Sequence, residues 1–254
     1  MSDRTAALEL DTVSKQFGET LAVSELTLRL ERGSFLGLLG RNGAGKTTSI
    51  NMATGLLRPT SGSVHVLGLD VCEHPIDVKR RIGVMPQDDS LLDYLTASQF
   101  LRFVGGVHRL DRETIDLRSR EIFETLDLDA PKGALIRDFS YGMKKKLALG
   151  AALIHGPELL FLDEPFEGID PVTSVTIRTI LGSLKSKGVT IVMSSHVLEI
   201  VERLCDSLAI IDKGRLLAYG TLSDLRERHG EFGSLEGLFL SLMGGAKPGE
   251  LSWL

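Results

Sequence analysis

Cysteine is nearly absent from this 254-residue chain: Cys72 and Cys205 stand far apart, without metal-ligand spacing. That spacing argues against a disulfide framework or a cysteine-bound metal, and both residues are expected as buried thiols in a reducing compartment. An excess of positive charge is also missing. Lys and Arg number 29 against 34 Asp and Glu, a formal net charge of −5, so there is no electrostatic basis for nucleic-acid binding. The one dense basic cluster, Lys144–Lys145–Lys146, reads as a solvated helix face. No stretch approaches the roughly 18 uninterrupted apolar residues that a membrane span requires. The longest candidate, 147–163, is broken by His155, Gly156, Pro157 and Glu158. The opening MSDRTAALELD carries no apolar signal core, so no targeting segment is expected. There is no internal repeat and no second phosphate-loop motif.

What remains is ordinary globular material, with 43% hydrophobic and 25% charged residues in a length sufficient for one large domain or two lobes. Residues 7–17 and 25–33 alternate apolar and polar side chains as half-buried strands do, and SVHVLG at 63–68 continues that character. RIGVMPQ at 81–87 reads as a short buried strand ending at Pro86. The segments 93–110 and 111–129 instead space their apolar residues helically, with Ile115, Ile122 and Leu126 on one face. Beyond them strand and helix alternate: ELLFLDEP, then a helix over 172–188 stopped by Gly188, then the strand VTIVMSS and the helix HVLEIVERLCD. AIIDKGRLLAYG follows as a hairpin turning at Lys213-Gly214. Such alternation predicts an α/β fold of parallel strands and crossover helices. We divide the single domain 1–254 into a core with a β subdomain (1–87 and 156–220), a helical insertion (88–155) and a C-terminal tail (221–254), whose last stretch, GGAKPGELSWL at 244–254, is expected to be loose.

Residues 40–48, GRNGAGKTT, follow the strand-like run FLGLL and precede a helical segment, SINMATGLL. Glycines let successive N–H groups converge on one anion, Lys46 supplies a point charge for terminal phosphates, and the Thr47 hydroxyl can ligate Mg²⁺. The positive end of the following helix faces the same anion. The pattern is a phosphate-binding loop.

Other reactive side chains sit where predicted strands end. Asp163 and Glu164 follow LLFL; two acids after a strand commonly form a solvated loop, but a phosphate loop in the same chain turns the reading toward chemistry. Asp163 then holds Mg²⁺, directly or through water, and Glu164 deprotonates an attacking water. Gln87 follows GVMP, where its amide can reach both metal and water, and His196 follows VMSS, where it can reach a γ-phosphate. Ser140 and Gly142, in FSYGM, open a long helix, which is either a capped core helix or a second anion site.

Taken together these motifs resemble the ATP-binding cassette (ABC) ATPases over nearly the whole chain. GRNGAGKTT is similar to Walker A, LLFLDEP to Walker B with its catalytic Glu at Glu164, and Gln87 to the Q-loop. FSYGM is similar to the signature, EGID at 167–170 to the D-loop, and His196 to the switch histidine. The resemblance implies a P-loop NTPase core with a mostly parallel sheet, an N-terminal antiparallel β subdomain and an inserted α-helical subdomain. It also implies an ATPase that uses ATP and Mg²⁺. Gly40, Arg41, Asn42, Gly43, Ala44, Gly45, Lys46, Thr47 and Thr48 would hold the nucleotide, Phe17 would stack on the adenine, and Thr47, Gln87 and Asp163 would hold the metal. Ser140 and Gly142 would act in trans, on ATP bound by a second ABC subunit in a head-to-tail dimer.

Departures are visible too. The signature is commonly Leu-Ser-Gly-Gly-Gln, whereas Phe139, Tyr141 and Met143 occupy three of its places here, and Arg41 stands where this branch commonly has Pro. SYGMKKKL, PFEGIDP, SSHVLEIVERLCD and SLEGLFLSLMGG look most like bacterial exporter ATPases of the daunorubicin and sodium-extrusion kind. These imply separate transmembrane permease subunits and a peripheral place on the cytoplasmic face of the cell membrane, with no nucleic-acid partner. The alternative is a soluble cassette protein acting on nucleic acid or ribosomes.

Overall fold

Alternating side chains over the first thirty residues build a hairpin, β1 (Ala6–Phe17) against β2 (Thr20–Glu31). In this computed structural model, residues 6–87, 91–129, 131, 133–229 and 234–244 are described. With β4 (Ser61–Val66) and β5 (Leu69–Asp70) the hairpin forms an antiparallel sheet in the order β2-β1-β4-β5. A second sheet holds β3 (Phe35–Leu39), β6 (Ile82–Met85), β7 (Leu159–Asp163), β8 (Thr190–Ser195), β9 (Ser207–Asp212) and β10 (Arg215–Gly220). Its order is β10-β9-β3-β8-β7-β6, parallel except for the edge hairpin β9–β10. Lys213 and Gly214 turn that hairpin with φ of 47° and 77°, the left-handed pair that a tight two-residue turn needs.

Every residue of β3, β7 and β8 is buried, because apolar layers cover both faces of the sheet. The period-2 pleat sorts their side chains. Leu36, Leu38, Leu159, Phe161 and Val192 point into the layer shared with the antiparallel sheet and helix α1 (Lys46–Ala53). Phe35, Leu39, Leu160, Leu162, Ile191 and Met193 point the other way, into the layer that holds the helices of the 97–153 region and those after β7.

Those helices have identifiable start signals. α3 (Ala97–Val107) opens with a capping box between Thr96 and Gln99, and Asp111 caps α4 (Arg112–Thr125) by accepting from Thr114 N. Ser140 caps α5 (Tyr141–Leu153), and Asp170 caps α6 (Pro171–Ser186) through Val172 N and Thr173 N. α4 docks on α5 at Gly150, where a Cβ would come within 2.5 Å of Ile122 Cγ2. Leu126 is buried beside this contact and Ile122 partly so, while Ile115 is buried against Gly105 of α3. α7 (Leu198–Leu204) and α9 (Leu235–Leu242) close the same apolar layer.

Several expectations are corrected. Lys145 and Lys146 are buried, at 0% and 7% exposure, rather than spread on a solvated face. α5 buries all eight residues from Lys145 to Ala152, so this stretch has no solvent side to offer them. Cys72 is exposed and only Cys205 is half-buried, its sulfur packed toward Gly37, where burial pushes the thiol well above its usual pKa. The helix after the glycine loop starts at Lys46 itself and stops at Ala53, because Gly55 turns left-handed at φ 68°. β2 begins at Thr20, since pairing with β1 extends the strand beyond its alternating part. Two further helices, α2 (Pro75–Arg81) and α8 (Leu222–His229), carry no strong periodic signal, and α2 rests on Pro75 at its first turn. Residues 245–254 of the tail lie outside the described residues.

Candidate active site

Sheet topology gathers the reactive residues. β3, β8, β7 and β6 run parallel in adjacent positions, with Leu39 paired to Ser195, Asp163 to Ser194 and Met85 to Leu162. Their C-terminal ends are therefore level, and Gly40, His196, Glu164 and Gln87 leave the sheet along one edge. This is where open α/β sheets bind ligands.

The glycine loop needs its glycines for definite reasons. A Cβ on Gly40 would fall 2.4 Å from the Ile211 carbonyl oxygen, which no side chain survives. Gly45 holds φ at 107° as the residue preceding α1, and a Cβ there would meet the Ala22 carbonyl at 2.7 Å. The β9–β10 turn supports the loop from below, Gly214 N donating to Ala44 O at 2.9 Å. The loop, Ala22, Gln87 and Glu164 enclose a cleft of about 340 Å³. A larger groove of about 680 Å³ between α4 and α6 carries none of the strand-end residues.

Lys46 is buried in the cleft floor and donates to Gly40 O at 2.8 Å. Its ammonium also stands 3.1 Å from Glu164 Oε1, an ion pair off-line for a hydrogen bond. The second carboxylate oxygen lies 3.0 Å from His196 Nδ1. A carboxylate only accepts, so Nδ1 carries the hydrogen. Glu164 sits at φ 48°, a left-handed conformation that a non-glycine residue adopts only when its surroundings enforce it. Ser194 supplies part of that enforcement. Fully buried, it accepts from Glu164 N at 2.8 Å and donates to Asp163 Oδ1 at 2.5 Å.

Gln87 donates from Nε2 to Glu167 Oε2 at 3.0 Å, which leaves its amide oxygen outside that bond. Arg41, Asn42, Gly43 and Thr47 are exposed in the cleft wall, while Ala44 is buried. Phe17 is 49% exposed beyond the cleft, at the β1–β2 turn, with Lys15 Nζ 5.2 Å from its ring centroid. Ser140 and Gly142 do not join the cleft. Ser140 is exposed and accepts from Met143 N at 3.2 Å, and a Cβ on Gly142 would touch Thr173 Oγ1 and Asp170 Oδ2 at 3.0 and 3.3 Å.

Sequence reasoning missed the part played by Ser194, the Gln87 contact of Lys145, and that of Glu167 within the D-loop match. Ser194 had a readable signal, a hydroxyl inside an otherwise apolar buried strand. The contacts of Lys145 and Glu167 had none, since their partner lies 58 and 80 residues away in the chain.

A glycine loop, a buried lysine and strand-end carboxylates on a parallel sheet define a P-loop nucleoside-triphosphatase. Comparison with known proteins narrows the class. The sequence profile of the ABC transporter family matches residues 23–167. The chain is 39% identical over 223 residues to the linearmycin resistance ATP-binding protein of Bacillus subtilis, covering 88% of this chain and 72% of that one. It is 40% identical over 221 residues to the Nod factor export ATP-binding protein I of Cupriavidus pinatubonensis, covering 87% and 68%. A solved ATP-binding subunit of an ABC transporter superposes with a TM-score of 0.87 at 31% identity, over 93% of this chain and 99% of that one. The protein belongs to the ABC transporter family. It is an ATP-binding and ATP-hydrolysing subunit of the exporter and drug-resistance type. Among the described residues no helix is long and apolar enough to cross a membrane.

Proposed function

We propose that this cassette closes head to tail on a second ABC subunit, an identical chain or a different cassette, with ATP held between the Walker A cleft of one and α5 of the other. One observation carries the reading. The motifs single out two helix ends for an anion, those of α1 and α5, and the cleft described above lies at α1; Ser140 and Gly142 sit at the end of α5, apart from that cleft. An exposed, serine-capped helix end with no cleft fits a neighbour's triphosphate.

Within a closed site the residues take distinct roles. Gly40 through Thr48 wrap the phosphates, Lys46 leaves Glu164 for the terminal phosphate, and the freed carboxylate takes a proton from the attacking water. His196 holds the second carboxylate oxygen and orients it. Thr47, Asp163 and Gln87 form an all-oxygen donor set, which suits Mg²⁺. The ion would polarise the bridging phosphate oxygens. Phe17 stacks on the adenine from the β1–β2 turn.

Membrane subunits have a matching surface. Val84, Pro86, Leu91, Phe100, Val104 and His108 line an apolar groove of about 250 Å³ between β6 and the α3–α5 helices. It opens directly beside Gln87, so a permease segment seated there feels any change at the nucleotide. We place the chain at the cytoplasmic face of the membrane, driving export through separate permease subunits that select the cargo. A role on nucleic acid or ribosomes has no support: the net charge is −5 and the relatives are named as export and drug-resistance ATP-binding proteins.

Light scattering of Glu164→Gln with and without Mg-ATP tests the dimer. A shift from monomer to dimer mass on adding nucleotide is expected, and an unchanged mass at saturating ATP would remove the proposal.

A further inference from the structure

Lys145 has no exposed surface at all, and a lysine buried this deeply costs several kcal/mol unless its ammonium is hydrogen-bonded. Its Nζ donates to the main-chain carbonyl of Gln87 at 2.9 Å and lies 5.3 Å from the centroid of the Tyr141 ring. Gln87 passes the link on through Nε2 to Glu167. Tyr141 closes the circuit, because a Cβ on Gly168 would fall 2.9 Å from its Cε1, so the ring packs against the main chain just after Glu167. Thus the first turns of α5, the Gln87 loop and the segment after Glu164 are fastened to one another within a single chain.

We propose that Lys145 is a positioning residue for hydrolysis: it ties the Gln87 carbonyl to α5, so that movement of α5 at the dimer seam is passed to the Gln87 amide of the same chain's own catalytic centre. The proposal rests on the reading above, in which Gln87 acts on the chain's own nucleotide and Ser140 on the partner's. Lys145 itself lies outside the cleft lining. Its removal therefore acts on turnover and leaves ATP affinity alone. Tyr141, one of the signature departures, has a use in this circuit, as the aromatic face beside the buried ammonium.

The test is a double-mutant cycle on the full chain, with kcat and KM for Mg-ATP measured for wild type, Lys145→Met, Gln87→Ala and the double variant. Lys145→Met is expected to lower kcat about tenfold with KM within about twofold. In the Gln87→Ala background the same change is expected to lower kcat by less than about twofold, since the group it positions is gone. An equal loss in both backgrounds, or no loss in wild type, overturns the proposal. If Lys145→Met fails to fold, Lys145→Leu, which also removes the donor, goes through the same cycle. A Gln87→Ala variant with wild-type kcat would overturn the underlying role of Gln87 instead, and that outcome is read independently of Lys145.

Discussion

Glu164 is held from both sides, its Oε1 3.1 Å from the Lys46 ammonium and its Oε2 3.0 Å from His196 Nδ1. The chain thus holds the proposed catalytic base and the proposed phosphate-binding cation against each other. Both side chains are about 95% buried, and neither charge is stable there alone.

Removing one member exposes the other. Lys46→Ala is expected to abolish tight Mg-ATP binding and to destabilise the nucleotide-free chain by about 3 kcal/mol, because Glu164 remains buried with its cation gone. Equilibrium nucleotide binding and urea unfolding check both effects; unchanged affinity would refute the role of Lys46.

Glu164→Gln separates binding from chemistry. The amide cannot take a proton, so turnover is expected to fall by about 10² to 10⁴. Affinity for ATP is expected to stay the same or tighten, because Lys46 no longer has to leave a carboxylate. Normal hydrolysis by this variant would show that another residue activates the water.

Ser194→Ala tests the support beneath the acids. It leaves Asp163 Oδ1 without its donor and Glu164 N without its acceptor, both buried. A loss of about 1–3 kcal/mol is expected, together with slower turnover as Glu164 relaxes from its left-handed backbone. Denaturation midpoints and kcat, measured together, would show whether the two losses travel as one.

Complementation tests the trans arrangement. Ser140→Ala and Lys46→Ala chains are each expected to be poor ATPases, but a mixed dimer contains one site with intact Lys46 facing intact Ser140. Statistical mixing gives roughly a quarter of wild-type turnover. A mixture no more active than its components would mean that Ser140 serves no neighbouring site.

Stability should also depend on His155. Burial, then the nearby His108 ring and Arg118, lower its pKa from 6.5 to about 4, against the opposing bond from Nε2 to Ile82 O. Between these values the unfolded chain binds a proton that native His155 refuses, so the His155 contribution to stability rises with pH from about 4 to 6.5 and is then level. His155→Gln should reduce that slope in urea unfolding measured from pH 4.5 to 7.5, the remainder coming from His108, whose pKa burial also lowers.

Much of this was legible along the chain because the governing signals are local. Strand alternation, the left-handed Lys213-Gly214 turn and the Gly-rich loop before a helix each depend on neighbours a few residues away. The buried lysines were not legible. Lys144–Lys146 has the composition of a solvated face, and only the all-round burial of α5 decides that Lys145 and Lys146 point inward, onto carbonyls of Gln87 and Asp127.

The sequence alone determined the family, the phosphate loop and the identity of the acids after LLFL, since each is a property of residue types at short, fixed spacing. Tertiary structure decided which of them meet. Parallel pairing of β3, β8, β7 and β6 sets their ends level, and that brings together Lys46, Glu164 and His196 across more than a hundred residues of chain. Ser140 stays apart for the same reason: the sheet positions strand ends, whereas its helix belongs to a lobe packed on the opposite apolar layer.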